Sequence, residues 1–412
     1  MMNAQTVVAA VFGLVYLGMF LGRFPRLRLD RTGIALLGAL ALLVARVVTL
    51  DGAAAALDLP TLALLFGLMV LSAQLRLGGF YSAVASRLAS LTLSPRALLA
   101  VLIGVVGILS AVFTNDVVCL AITPVVVAGC LRRGLDPVPF LIAVACASNV
   151  GSAATLIGNP QNMLIGQALG LSFAGYLALA AVPAALGLAL TWAWIAFRAG
   201  AGRPAAIDAV ADPSGGRVPF NRWQTTKGLG LACALLAAFL LTPWPRDLLA
   251  LACAGLLLTS RELHSRDMLG LVDWQLLVLF IGLFVVNGAL ADTGLVRAGL
   301  DSLAAAGADL ERPGWLFGAT VVLSNAVSNV PAVMLLLPAA THPLAGPVLA
   351  LASTLAGNLV IVGSIANIIV VETAARLGVR IGWRTHARVG IPITLLTLLV
   401  AALALAIASM TR

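Results

Sequence analysis

The sequence predicts an all-α membrane protein of two inverted-topology repeats, each with five spans and one re-entrant hairpin, and with broken helices at the midplane. Three observations carry this. The first is composition: of 412 residues, 61% are hydrophobic and 10% charged, against about 45–50% and 25% in soluble domains. Mean hydropathy is +1.07. Apolar runs of about 18 residues or more recur, each long enough to cross a bilayer as a helix. They are continuous in Leu, Ala, Val and Gly rather than alternating, which selects helices over a barrel. The second observation is where the arginines fall, and the third is a set of polar motifs that occurs twice.

Taken in order, spans read at about 5–22, 32–50, 60–75, 138–169 and 171–197 in a first repeat covering 1–198. The first run lacks a charged n-region and a small-residue cleavage site, so it is read as a retained span. A polar join at 199–227, with Gly, Pro and Arg, reads as a cytoplasmic linker. Spans at about 228–243, 247–260, 274–291, 344–374 and 389–410 make a second repeat, 228–412. Two further apolar blocks, about 97–131 and 313–341, carry polar centres, Thr114-Asn115-Asp116 and Ser324-Asn325 to Ser328-Asn329, and read as hairpins. Segments 78–91 and 294–308, short and amphipathic, precede them and read as interfacial helices. The five cysteines (Cys119, Cys130, Cys146, Cys233, Cys253) have no ligand-like spacing and read as small apolar residues.

With both blocks re-entrant, 20 of the 25 basic residues fall on one side, and only Arg46, Arg246, Arg297, Arg312 and Arg412 on the other. Basic residues mark the cytoplasm, so both termini are expected outside. Arg96 and Arg132 are expected inside, and positions 312 and 342 outside. The net charge of +9 is scattered between spans, which suits acidic lipid and not nucleic acid.

The motifs repeat in their key letters. Leu109-Ser110, Thr114-Asn115 and Pro124 match Leu323-Ser324, Ser328-Asn329 and Pro338 without a gap, the prolines reading as kinks. After each hairpin, Ser148, Gly158 and Asn162 pair with Ser353, Gly363 and Asn367. Gly and Asn clusters break helices, and broken backbone at membrane depth survives only where protein or a wet cavity shelters it. Half-helix ends then offer free N–H groups and carbonyls to an anion and a cation. The candidate binding residues are Thr114, Asn115, Asp116, Ser148, Asn149, Gly151, Gly158, Asn159, Asn162, Ser328, Asn329, Asn358, Gly363, Ser364 and Asn367. Asp116 is the only acidic residue among these segments. It is either the coupling group or a cap for the second half-helix, since a negative charge suits a helix N-terminus. A coupling Na+ or H+ would sit near Asn115, Asp116 and Asn329.

These segments resemble those of the ion transporter superfamily of arsenite permeases, divalent anion/sodium symporters and citrate transporters. Phe113-Thr114-Asn115-Asp116 is similar to the arsenite-permease hairpin. The run from Thr155 to Asn162 resembles the bacterial anion-permease branch. The resemblance covers nearly the whole chain. It implies a homodimer with scaffold and transport parts, a substrate held between two hairpin tips and two unwound helices, and elevator-like movement. Tips of the dicarboxylate branch read Ser-Asn-Thr; here they read Thr114-Asn115-Asp116 and Ser328-Asn329-Val330.

The leading expectation is therefore a symporter-like permease for a small inorganic or carboxylate anion in a bacterial inner membrane. Arsenite or antimonite efflux and Na+/H+ exchange are the alternatives. An intramembrane enzyme would need a catalytic constellation, yet His264, His342 and His386 sit at segment ends without a zinc-binding pair. A channel is the remaining class, since hairpins also line pores.

Overall fold

The computed structural model describes residues 3–22, 29–198 and 219–410. Most of the expected linker, along with Arg23, Arg26, Arg28, Arg203, Arg217 and Arg412, lies outside the described residues. The first ten helices are α1 (Ala4–Leu21), α2 (Arg31–Val44), α3 (Leu50–Ala55), α4 (Leu59–Leu77), α5 (Phe80–Ser90), α6 (Pro95–Val112), α7 (Asn115–Arg132), α8 (Pro137–Ser152), α9 (Pro160–Ala168) and α10 (Phe173–Phe197). The next ten are α11 (Arg222–Leu241), α12 (Arg246–Leu258), α13 (Ser265–Leu269), α14 (Trp274–Asp292), α15 (Leu295–Ala305), α16 (Pro313–Val327), α17 (Asn329–Leu336), α18 (Ala345–Ala356), α19 (Ile365–Arg376) and α20 (Trp383–Met410). Some lengths recur between the two tens, 19 residues in α4 and α14 and 11 in α5 and α15, whereas α7 has 18 residues and α17 eight.

Local sequence sets the helix starts. Asp30, Asp58, Ser94, Asp136, Asn159 and Ser172 each accept an N–H from the first turn of the helix that follows. Proline opens α4, α6, α8, α9 and α16, where its missing N–H costs nothing. Among the described residues, eight helices are long and apolar enough to cross a membrane. Two of the eight are α6 and α7, the arms of the first expected hairpin; the expected spans that fall short are 32–50, which yields α2 and α3, 247–260, which yields α12, and 138–169 and 344–374, each split, into α8/α9 and α18/α19. Leu14, Phe20, Val182, Leu186, Leu395, Leu399, Leu403 and Ile407 are exposed on α1, α10 and α20, as a lipid-facing surface requires.

The helices pack in two groups. In one, α2 lies on α14 and α4 on α12, with α1 on α14 and α11 on α4. Two matching contacts bring the backbones together. A Cβ on Gly67 would come within 2.6 Å of the Ala250 backbone, and one on Gly282 within 2.6 Å of the Ala35 backbone. Small residues permit such close approach between membrane helices. In the other group, α6 and α10 pack on α8, α16 and α20 on α18, α10 on α20, and α7 on α19. At its heart α8 and α18 are buried on nearly every face. Helices hydrophobic all round belong in such interiors, and both end at a break.

Candidate functional site

Helix α8 stops at Ser152 and the chain runs without helix to Asn159; α18 stops at Ala356, and a 3-10 turn at Ile361–Gly363 precedes α19. The carbonyls freed by these breaks are buried and need donors. Repeat-related asparagines supply them. Asn162 Nδ2 donates to the Thr155 carbonyl at 3.0 Å and to that of Ser152 at 3.4 Å. Asn367 Nδ2 donates to the Val360 carbonyl at 3.2 Å and to that of Gly357 at 2.7 Å. Asn159 caps α9, its Oδ1 accepting the N–H of Asn162 at 2.9 Å. From the flanking long helices, Tyr176 Oη donates to the Ala153 carbonyl at 2.7 Å, and His386 Nε2 meets the Asn358 carbonyl at 3.1 Å. His386, a segment-end residue in the sequence, is thus buried against the second break.

Two helix turns meet the breaks. Between α6 and α7, Phe113 is extended and the Asn115 N–H donates to the Gly158 carbonyl at 3.0 Å. Between α16 and α17 stands Ser328, with φ +77° and ψ 161°, a conformation that L side chains rarely adopt and that costs about 1–3 kcal/mol. Asn329 follows. With its amide oriented by its partners, it donates to the Ser353 and Gly363 carbonyls at 3.0 and 3.2 Å and accepts from Gln161 Nε2 at 3.2 Å.

Asn149 ties the halves together. Its Oδ1 accepts from Asn115 Nδ2 at 3.3 Å and from Ser364 Oγ at 2.9 Å. Its Nδ2 donates to Asn358 Oδ1 at 2.8 Å and Asn367 Oδ1 at 3.1 Å. Thr354 does the same from the other side, donating to Asn162 Oδ1 and accepting from Asn159 and Gln161, all at 3.2 Å.

These groups surround a small chamber, whose polar wall is Asn115, Asp116, Gln161, Ser328, Asn329 and Ser364. The N-termini of α7, α9, α17 and α19 all open onto it, each carrying roughly half a positive charge. Asp116 is the only charged residue in its wall. Among the described residues the Asp116 carboxylate makes no hydrogen bond or ion pair, so it does not cap α7 through a side-chain bond. Asn115 Oδ1 also lacks a partner.

The candidates thus separate by position. Asn115, Asp116, Ser328, Asn329 and Ser364 face the chamber, and Thr114 faces an adjoining cavity. Asn149, Asn159, Asn162, Asn358 and Asn367 stand behind the wall and hold it. Gly158 and Gly363 admit the breaks: a Cβ would lie 2.4 Å from the Ser152 carbonyl oxygen and 3.0 Å from Asn325 Oδ1 respectively. Gly151 packs on the Gly107 backbone, and Ser148 Oγ bonds the Ala145 carbonyl at 2.9 Å, both away from the chamber. Gln161, Thr354 and Tyr176 were not singled out by sequence, and His386 stood there only as a segment-end residue.

Comparison with known proteins places this architecture. The family model described as citrate transporter (CitMHS) matches residues 14–356. An uncharacterized transporter of Mycobacterium tuberculosis H37Rv is 31% identical over 409 residues, covering 91% of this chain and 93% of that protein. The silicon efflux transporter LSI3 of Oryza sativa subsp. japonica is 30% identical over 467 residues, covering 94% of each. The inner membrane protein YbiR of Escherichia coli K12 is 31% identical over 339 residues, covering 81% and 84%. Among solved structures, the YdaH transporter of Alcanivorax borkumensis shares the fold, with TM-score 0.58 at 16% identity and 98% coverage of both chains. The all-helical, multi-span chain accordingly belongs to the citrate transporter (CitMHS) family of the ion transporter superfamily, and is a membrane transporter.

Proposed function

We propose that the chamber is the substrate site of a secondary active transporter for a small oxygen-rich inorganic anion, with Asp116 carrying the coupling H+ or Na+. The observation that carries this is the convergence of four helix N-termini and a ring of amides and hydroxyls on one unpaired carboxylate. The N-termini and amides suit an oxyanion. Asp116 would repel it unless it holds a cation at the same time, which links the two movements. The absence of any cationic side chain from the chamber wall favours a second reading, a neutral hydroxylated acid such as arsenous or silicic acid. The likeness to a silicon efflux transporter points the same way.

Orientation and movement belong to the same proposal. The halves 1–198 and 228–412 are read as inverted repeats with 199–227 cytoplasmic. Supporting this, Gln74 bonds Gln224, and Trp192 and Phe197 meet Arg96, so ends expected inside lie together. Arg246 reaches the Gly166 carbonyl, joining ends expected outside. At 18 residues, about 27 Å, α6 and α7 are each long enough to cross. Re-entrance is supported instead by the depth of the tip, which bonds to the break midway between α8 and α9. The two packing groups fit a scaffold (α1–α4, α11–α14) and a mobile transport part (α6–α10, α16–α20) in a homodimer. The family name does not assign citrate here.

The test is uptake into proteoliposomes of a panel of sulfate, phosphate, succinate, citrate, arsenite and silicic acid, under imposed proton or sodium gradients. Saturable, gradient-driven accumulation of an inorganic solute is expected. Uptake of none, or conduction that does not saturate, would overturn the reading.

A further inference from the structure

A second cavity adjoins the chamber and shares Asp116 and Pro160 with it. Its remaining polar wall comes from Thr114, from Ser72 and Arg76 on α4, and from Asp273 at the start of α14. Asp273 is exposed, whereas Arg76 and Asp116 are half-buried. The cavity therefore runs from the molecular surface to the chamber wall, and its mouth lies where the arginine distribution places the cytoplasm.

The hydrogen-bonding state of its charged groups differs. Asp273 Oδ1 caps α14, accepting the Leu276 N–H at 3.0 Å. Asp116 lies in the first turn of α7, where the positive helix end offsets its charge. Arg76 has no side-chain hydrogen bond and no ion pair among the described residues, although it shares the cavity with both carboxylates. Thr114, only 5% exposed, keeps its hydroxyl without a partner on the same wall. The Arg76 guanidinium, partly exposed and without a protein partner among the described residues, has its donors free for a ligand. A planar or tetrahedral oxyanion matches those donors bidentately.

We propose that this cavity is the vestibule through which a small oxyanion passes between the cytoplasm and the chamber, and that Arg76 with the Thr114 hydroxyl forms its first binding station and selects for negative charge. The proposal rests on the reading of the chamber as the transport site, but the charge preference is measurable without any substrate.

The experiment replaces the five native cysteines and introduces Val117→Cys, half-buried at the deep end, or Leu271→Cys at the mouth. An anionic and a cationic methanethiosulfonate of similar size are applied to right-side-out and inside-out vesicles. Rates are divided by those with a small free thiol. Both positions are expected to react from the cytoplasmic face, position 271 faster, with the anionic reagent favoured at 117. Arg76→Gln is expected to lower the anionic-to-cationic ratio at 117 by about fivefold or more, the effect of one nearby unit charge in a partly hydrated site. Arg76→Lys should largely keep it. Three results would each overturn the proposal: no reaction at 117 from that face, preference for the cationic reagent in the unaltered vestibule, or a ratio indifferent to Arg76→Gln. The first two need no arginine variant, so a failure of that variant to fold leaves the test intact. If labelling behaves as expected but no panel solute is transported, the chamber reading fails and the passage to it falls with it, leaving only the Arg76-dependent charge preference of a cytoplasm-facing cavity.

Discussion

At the scale of single residues, the asparagines that follow the α6–α7 and α16–α17 turns occupy matching places in sequence but unequal places in space. Asn329 is satisfied at both ends of its amide, whereas Asn115 Oδ1 is unpartnered and lines the chamber. Replacing Asn115 by Ala should therefore act mainly on the solute. A lost hydrogen bond of about 1–3 kcal/mol corresponds to roughly a tenfold or greater rise in half-saturation, with thermal stability little changed. Asn329→Ala strands the buried Ser353 and Gly363 carbonyls, so it should lower the melting temperature as well as transport. Equal thermal loss in both variants would remove the distinction. For Asp116, the missing capping bond matters, since a capping role predicts that Asp116→Asn transports normally. The coupling role predicts that accumulation against a gradient is lost while counterflow exchange survives, and proteoliposome uptake with and without an imposed gradient separates the two. Sequence marked these polar residues as one class because letters carry no depth. Only packing separates Asn115 and Asp116 in the wall from Asn162 and Asn367 behind it.

Among elements, the broken helices were legible because Gly and Asn interrupt otherwise continuous apolar runs. The residues that hold the breaks from outside were not. Tyr176 and His386 sit on α10 and α20, well along the chain from the motifs, and differ in letter. The two halves keep register within each motif but not across the loops between them, so no single ungapped alignment brings these two side chains opposite each other. The same holds for Gly67 on Ala250 and Gly282 on Ala35, which are ordinary letters until the helices cross. The breaks also differ in tolerance. A Cβ at position 158 would lie 2.4 Å from one backbone oxygen and 2.7 Å from another, those of Ser152 and Ser110. At 363 the nearest atoms are 3.0 and 3.1 Å away, and the closest belongs to the Asn325 side chain. Backbone cannot swing aside as a side-chain end can. Gly158→Ala is therefore expected to abolish transport and lower the yield of monodisperse protein, while Gly363→Ala keeps folded protein with reduced transport. Size-exclusion profiles in detergent beside initial uptake rates measure both, and the reverse ranking would count against this account of the breaks.

The whole molecule follows from two constraints that sequence states well and one that it states poorly. Hydropathy fixes that the chain lives in lipid, and arginine placement assigns each loop an expected side. How the spans group is a matter of which apolar faces meet, and apolar letters are nearly interchangeable on that point. The observed grouping has a mechanical consequence. Contacts within the set α1–α4 and α11–α14 are extensive, as are those within α6–α10 and α16–α20, and the bonds between sets are few. Two of these few join Arg246 to the Gly166 carbonyl at 2.8 Å and Tyr16 to the Pro331 carbonyl at 3.1 Å. If one set slides past the other to carry the chamber across, a covalent tie between sets must stop transport, and a tie within a set must not. Cysteines at positions 246 and 166, bridged by a short bismaleimide, should arrest uptake almost completely, with the unbridged pair active. Cysteines at 32 and 275, where the Thr32 hydroxyl meets the Gln275 carbonyl at 3.3 Å inside the first set, should be bridged without loss. Single cysteines at 96 and 132 should label only from the cytoplasm, and those at 312 and 342 only from outside, which fixes the direction of the movement. A rocking motion that splits the first set would instead be arrested by the 32–275 bridge. Continued uptake across the 246–166 bridge would mean that the chamber opens to both sides without its walls travelling.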